Sequence, residues 1–335
     1  MSTSVTERPD SALPHEGTPM LEVKDLVVRY GRGRKAAAAP AAVDRVSFSI
    51  APGETVGLVG ESGSGKSTIG KAILGLQKVS GGSISYQGTD ITSAGAAQRR
   101  ALGGELRAVF QDHNSSLNPR NTVGTSLAEP LRLRGVSAGE ARAKAEDMLE
   151  RVGLPREAVD RYPSQFSGGQ RQRISVARAL ICDPQLVVCD EAVSALDLST
   201  QAQVLNLLAD LRDERGLSYL FIAHDIAVVQ FLAQRVVVLY RGQVMESGPA
   251  AAVTENPQHP FTQALVAASP VPRPAEQAAR REARESLGVR TGAAAVPGPG
   301  GCPFRLRCPL ATELCATERP ALRRVGTADV ACHYA

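Results

Sequence analysis

Tryptophan is absent from the 335 residues, and aromatic residues make up only 4%. The core is therefore expected to be aliphatic, and a platform of stacked rings for single-stranded nucleic acid is excluded. No run reaches ~18 consecutive apolar residues, so no segment is expected to span a bilayer. The opening MSTSVTERPDSALPHEGTPM has no apolar stretch of the kind a secretory signal needs. The chain is thus expected to stay in the cytoplasm, where thiols are kept reduced. Excess charge is also slight, at +4. That is too mild to call for a nucleic-acid partner, and none is expected. Cysteine is scarce until the end: of six, only Cys182 and Cys189 precede the last 34 residues. Such clustering in a reducing compartment points to a metal site before disulfides.

What is present is a globular composition, 43% hydrophobic and 21% charged, which excludes wholesale disorder. The length allows one large domain or two. Residues 1–19 read as a loose polar tail. Strand signals follow at Leu21–Tyr30, Val46–Ile50, Thr55–Val59, Ser83–Tyr86 and Leu106–Phe110, with GRGRKAAAAPAAV as a loop and a helix over Ser67–Leu76. From about residue 112 to 183 the pattern turns helical, as in ARAKAEDMLERVG and GQRQRISVARAL. Strands return at Leu186–Cys189, Tyr219–Ala223, Val236–Leu239 and Val244–Glu246, separated by helical stretches at Gln201–Glu214 and Ile226–Gln234. Strands alternating with helices predict an α/β fold with a largely parallel sheet and an inserted helical subdomain. The main domain is expected over residues 20–268, a Pro/Ala/Gly-rich linker over 269–301, and a cysteine-rich extension over 302–335.

Three motifs carry chemistry. Gly60-Glu61-Ser62-Gly63-Ser64-Gly65-Lys66-Ser67 fits G-x(4)-G-K-S/T between a strand and a helix. Its glycines let backbone N–H groups close around phosphate oxygens at a helix N-terminus. Lys66 can reach the β- and γ-phosphates and Ser67 can ligate Mg²⁺. Leu186–Glu191 is an apolar strand ending in two carboxylates. Asp190 suits a magnesium ligand and Glu191 a general base for an attacking water. Phe166-Ser167-Gly168-Gly169-Gln170 precedes a helix, and Ser167 makes a good N-cap, so a second helix start can receive an anion.

In this order the motifs resemble the nucleotide-binding subunit of ATP-binding-cassette transporters, over roughly Leu21–Ala268. The resemblance implies a phosphate-loop NTPase core. It gives Tyr30 as the adenine-stacking aromatic, Gly60 through Thr68 as phosphate contacts, and Gln111 as the glutamine loop serving Mg²⁺. It makes Ser167, Gly168, Gly169 and Gln170 the signature, Asp197 the D-loop aspartate and His224 the switch histidine. Ala192-Val193 departs from the usual Pro-Thr after the catalytic carboxylate, and Phe166 stands where Leu is commoner. VFQDHNSSLNPRNTV, RYPSQFSGGQRQRISVARAL, HDIAVVQFLAQRVVVLYRGQVMESG, ENPQHPFTQALVAASP and the tail are similar to the peptide/nickel importer branch.

That branch implies an ATPase energising import of oligopeptides, dipeptides or a related solute. The chain would lie at the cytoplasmic face of the membrane as a peripheral protein. Its partners would be a second, paralogous nucleotide-binding subunit, two integral permeases and, through them, an extracytoplasmic solute-binding protein. The segment after Gln111 would dock the permease. Competing readings are a soluble cassette ATPase of translation or repair, and a metal- or redox-sensing ATPase. Cys302, Cys308, Cys315 and Cys332 have no C-x(2)-C pair. Four thiolates can hold zinc or an iron–sulfur cluster, or stay unliganded, and His333 could replace one. The resemblance implies a [4Fe–4S] cluster.

Overall fold

The computed structural model describes residues 17–31, 40–110, 117–194, 196–269, 286–289 and 300–335. Gln111, Ala195, nearly all of the expected N-terminal tail and most of the expected linker lie outside them.

The chain opens with β1 (Leu21–Arg29), β2 (Ala41–Ile50), β3 (Thr55–Val59), α1 (Lys66–Ile73), β4 (Gly81–Tyr86), β5 (Thr89–Asp90), α2 (Ala96–Leu102) and β6 (Leu106–Val109). Helices α3 (Val123–Arg132), α4 (Ala138–Arg151) and α5 (Gly168–Leu180) follow before β7 (Leu186–Asp190). Next come α6 (Leu198–Arg215), β8 (Ser218–Ala223), α7 (Ile226–Leu232), β9 (Arg235–Tyr240), β10 (Gln243–Pro249), α8 (Ala250–Glu255) and α9 (Pro260–Ala268). The C-terminal segment adds α10 (Glu313–Thr317), β11 (Arg323–Val325) and β12 (Ala328–Val330).

An eight-stranded sheet runs β11-β12-β10-β9-β3-β8-β7-β6, and its β9-β3-β8-β7-β6 half is parallel. Strands β3, β7 and β8 are buried along their whole length, so both sheet faces must be covered. Successive side chains alternate between those faces. Val188, Leu220, Ile222, Val237 and Leu239 join one apolar cluster with Ile69 and Ile73 of α1 and the inner faces of β1 and β2. Val187, Cys189, Tyr219, Phe221, Val236 and Val238 join the other, with apolar residues of α3 through α9.

A second sheet, β2-β1-β4-β5, is antiparallel and was not expected as a separate layer. Its β2 begins at Ala41, inside the segment read as a loop, because Ala41 and Val43 pair with Arg29 and Val28 of β1. Between β6 and β7 the helices start at capping side chains: Thr122 for α3, Ser137 for α4 and Ser167 for α5. Leu127, Leu131, Ala141, Ala145 and Leu149 are buried there.

The C-terminal segment does not sit apart from the core. Strand β12 pairs antiparallel with β10, Val330 opposite Glu246 and Asp329 opposite Ser247. Gly248 permits the approach, since a Cβ there would stand 2.9 Å from the Cβ of Ala328. Phe304 is buried and meets Tyr240 and Phe261 at ring-centroid distances of 5.3 and 5.4 Å. Tyr240, Phe261 and Phe304 thus form an aromatic cluster at this seam. Among the described residues no helix is long and apolar enough to cross a membrane.

Candidate nucleotide site

Strand β3 delivers Gly60 to a turn that ends where α1 begins at Lys66. Two positions require glycine. Gly60 has φ 153°, and a Cβ there would stand 2.1 Å from the carbonyl oxygen of Leu239; Gly65 has φ 102°, with the Ala42 oxygen 2.5 Å away. Lys66 is only 4% exposed. Its Nζ donates to the carbonyls of Gly60 at 2.7 Å and Glu61 at 2.9 Å. Burial lowers its pKa, against the opposing pull of Glu191, Asp190 and Glu61. A cation is thus folded over the rim of the loop within reach of any anion the loop accepts.

Ser67 Oγ donates to Asp190 Oδ1 at 2.8 Å, joining α1 to the end of β7. Burial raises the Asp190 pKa; the Ser67 hydrogen bond opposes the rise, while the neighbouring Glu191 adds to it. A hydroxyl beside a buried carboxylate is a hard-oxygen pair suited to Mg²⁺.

Glu191 leaves the strand with φ 50°, a left-handed conformation that costs a non-glycine residue on the order of 1–3 kcal/mol. Its N–H donates to Ile222 of β8 at 3.0 Å, and its carbonyl accepts from Ser194 Oγ at 3.0 Å. The Glu191 carboxylate lies 4.0 Å from His224 Nδ1. Both line a pocket of about 190 Å³ with Val193, Ser194, Gln201 and Asp225. A buried hydrogen bond from Gln172 of α5 to the carbonyl of Ala192 ties α5 to the loop after the carboxylates. No local pattern of residues announces this bond.

The other predicted residues occupy two places. Tyr30 is half exposed, and its OH lies 2.9 Å from Thr68 Oγ1, so the aromatic stands beside the phosphate loop. Ser62 and Gly63 are exposed at the loop tip. Ser167, Gly168, Gly169 and Gln170 start α5 as a capping box: Gln170 N–H donates to Ser167 Oγ at 3.3 Å, and Ser167 N–H to Gln170 Oε1 at 3.0 Å. Asp197 caps α6 through Thr200 N–H at 3.0 Å, which lowers its pKa. A Cβ on Gly169 would stand 2.8 Å from the Thr200 methyl, so the two helix starts adjoin. Among the described residues no hydrogen bond or ion pair joins either to Gly60–Thr68.

All six cysteines are buried. Cys189 lies on β7, and Cys182 follows α5 and accepts from Arg107 at 2.9 Å. Cys302, Cys308, Cys315 and Cys332 line one cavity of about 10 Å³ with His259 and His333. Burial pushes the Cys302 thiol up to about 11, and the other three cysteines add to the rise. Among the described residues no three metal-ligating side chains come together as a ligand set. Thiols are donors that soft metals take, but as placed the described residues form no ligand set.

One contact escaped the sequence entirely. Arg307 of the C-terminal segment donates through Nη1 to both Glu61 carboxylate oxygens, each at 2.8 Å.

Residues 43–194 match the ABC transporter family, and residues 245–315 match the oligopeptide/dipeptide transporter C-terminal region. A protein of Brucella abortus (strain 2308), provisionally named a peptide import ATP-binding protein, is 45% identical over 99% of this chain and 99% of its own. A Brucella ovis protein of the same description is 45% identical over 92% of this chain and 95% of its own. Among solved structures, a dimeric ATP-binding cassette in a post-hydrolysis state, bound to ADP and Pi, matches with a TM-score of 0.63. It is 29% identical, over 69% of this chain and 99% of that one.

Proposed function

The chain belongs to the ABC transporter family as an ATP-hydrolysing subunit of peptide import, and from that premise we propose that its nucleotide site is shared between two such subunits. One observation carries the proposal. The phosphate loop, Asp190, Glu191 and His224 belong to the ends of β3, β7 and β8, whereas the Ser167–Gln170 helix start has no bond to the loop. A helix N-terminus with two glycines is an anion site in waiting, and a second subunit's nucleotide supplies the anion. The dimeric, ADP-bound relative supports this arrangement.

ATP supplies the phosphoryl group and Mg²⁺ offsets its charge. In the proposed division of labour, Lys66 and the loop amides hold the phosphates, with Gly60 to Thr68 as the cradle. Ser67, Asp190 and Gln111 serve the metal. Glu191 takes a proton from the attacking water, and His224 holds the γ-phosphate side of the site. Tyr30 stacks on the adenine, and Asp197 faces the subunit boundary.

The cassette is proposed over residues 20–268, its helical subdomain over about 112–183, and the cysteine-rich extension over 302–335. A groove of about 470 Å³ along Thr122, Thr125, Glu129, Arg132 and Leu133 is the proposed seat of a permease segment. Leu133 is 84% exposed there, an apolar side chain left for a partner to cover. Two permeases, a paralogous ATPase and an extracytoplasmic receptor complete the proposed assembly, with this chain peripheral at the cytoplasmic face. The four C-terminal cysteines are the proposed ligands of an iron–sulfur cluster, supported by their meeting at one buried cavity.

Gly168→Asp tests the shared site. Turnover of the assembled complex should fall at least about tenfold, because a carboxylate then faces the γ-phosphate. ATP binding by the isolated chain should persist through its own loop. Undiminished turnover in the complex would overturn the shared site.

A further inference from the structure

We propose that Arg307 of the C-terminal segment is a positioning residue for the phosphate loop: it holds the Glu61 carboxylate away from the nucleotide's phosphates. This rests on the reading of Gly60–Ser67 as the phosphate site of ATP.

Glu61 lies inside the loop and carries a negative charge into a site built for a polyanion. Its carbonyl already accepts from Lys66 Nζ at 2.9 Å, so the residue cannot swing away without disturbing the lysine. Arg307 meets the carboxylate with a 2.8 Å contact to each oxygen. Paired in this way, the carboxylate is neutralised and its direction is fixed.

Arg307 is itself firmly held. Its guanidinium lies 5.9 Å from the ring centre of Tyr240 and 5.6 Å from that of Phe304. Its backbone belongs to the turn in which Arg307 and Cys308 N–H groups both donate to the Phe304 carbonyl, at 2.9 and 3.0 Å. Phe304 is buried at the seam with the core.

A second path from the same segment reaches the other side of the loop. Arg319 donates to the Asp44 carboxylate at 2.8 Å and to its carbonyl at 3.1 Å. Asp44 N–H donates to Gly242, and Gly242 N–H donates to Ser64 of the loop, both at 2.8 Å. The segment thus supports the loop at Glu61 directly and at Ser64 through two intermediates.

The test is a double-mutant cycle in the full-length protein, as the assembled complex for turnover. MgATP affinity, KM and kcat are measured for R307A, E61Q and the double variant, with R307K as the conservative substitution. R307A should raise Kd and KM about three- to tenfold with a smaller change in kcat, and R307K should recover most of the loss. In the E61Q background, R307A should cost no further affinity, because no carboxylate remains to be held. An equal loss in both backgrounds would show that Arg307 acts only through folding of the segment, and overturns the proposal. Unchanged affinity in R307A overturns it as well. K66A separates the two readings: if it binds MgATP as the parent does, the phosphate-site assignment itself fails.

Discussion

Ser67 donates its hydroxyl proton to Asp190 Oδ1 at 2.8 Å, across 123 residues of sequence. The bond links the start of α1 to the end of β7 and sets two hard-oxygen groups side by side. Burial raises the Asp190 pKa, so the charged carboxylate is a cost to the nucleotide-free fold. For a carboxylate raised in this way, the favourable contribution is complete below the unfolded value of 3.8 and is lost as pH rises through the folded value. Asp190→Asn keeps an acceptor for Ser67 and removes the charge. The nucleotide-free variant should therefore melt higher than the parent at neutral pH, while turnover falls at least about a hundredfold. A lower melting temperature together with surviving Mg²⁺-dependent turnover would defeat the assignment.

Glu191→Gln should separate binding from hydrolysis. The amide is nearly isosteric, and the backbone bonds to Ile222 and Ser194 that hold the left-handed residue do not involve its side chain. A general base contributes about 10²–10⁴ in rate, and that factor is the expected loss. ATP affinity should stay near the parent's, and ATP-bound dimers should accumulate in size-exclusion runs. Parental turnover in the purified complex would remove Glu191 from the role of base.

Much of the site was legible because its chemistry is local. The loop Gly60–Ser67, the pair Asp190–Glu191 and His224 each stand at the end of an apolar strand run, where sequence order and fold coincide. What remained hidden is long-range. The Arg307–Glu61 pair spans 246 residues and Arg319–Asp44 spans 275, and no spacing rule reaches so far. Strands β11 and β12 have three residues each, too few to show alternation. Ala41 has low strand propensity and enters β2 by pairing with Arg29 of β1. The four tail cysteines were visible as a cluster, but their common cavity depends on β12 pairing with β10.

His259 should govern part of the acid sensitivity of the fold. It is 1% exposed, its Nδ1 accepts from Phe261 N–H at 3.0 Å to cap α9, and its ring lies 6.0 Å from that of Phe304. Burial lowers its pKa from 6.5 to about 4. The unfolded chain therefore binds a proton between those values that the folded chain does not. Stability from this group is complete above the unfolded value and declines as pH falls toward the folded one, by on the order of 3 kcal/mol. His259→Asn retains a capping acceptor without a titrating ring. Denaturant midpoints from about pH 6.5 down to 4 should fall less steeply in the variant, although it starts lower at pH 7 through lost packing. Parallel pH profiles would show that another group carries the acid response.

The final prediction concerns the thiol cavity. Cys302, Cys308, Cys315 and Cys332 are buried where the segment rests on β10, Tyr240 and Phe261. So short a segment has little core of its own, and a metal commonly supplies the missing folding energy. Burial holds the Cys302 thiol up at about 11, which disfavours the thiolate until a cation arrives to stabilise it. Loading should therefore release protons and tighten the segment. Protein purified without oxygen should carry iron and acid-labile sulfide and absorb near ~400 nm. Replacing Cys308 and Cys315 together with serine should abolish that absorbance and make residues 300–335 sensitive to protease. One zinc per chain without iron would exchange the cluster for a zinc site. Neither metal, with unchanged protease resistance in the double variant, would leave the four thiols as packing against Phe304 and the core.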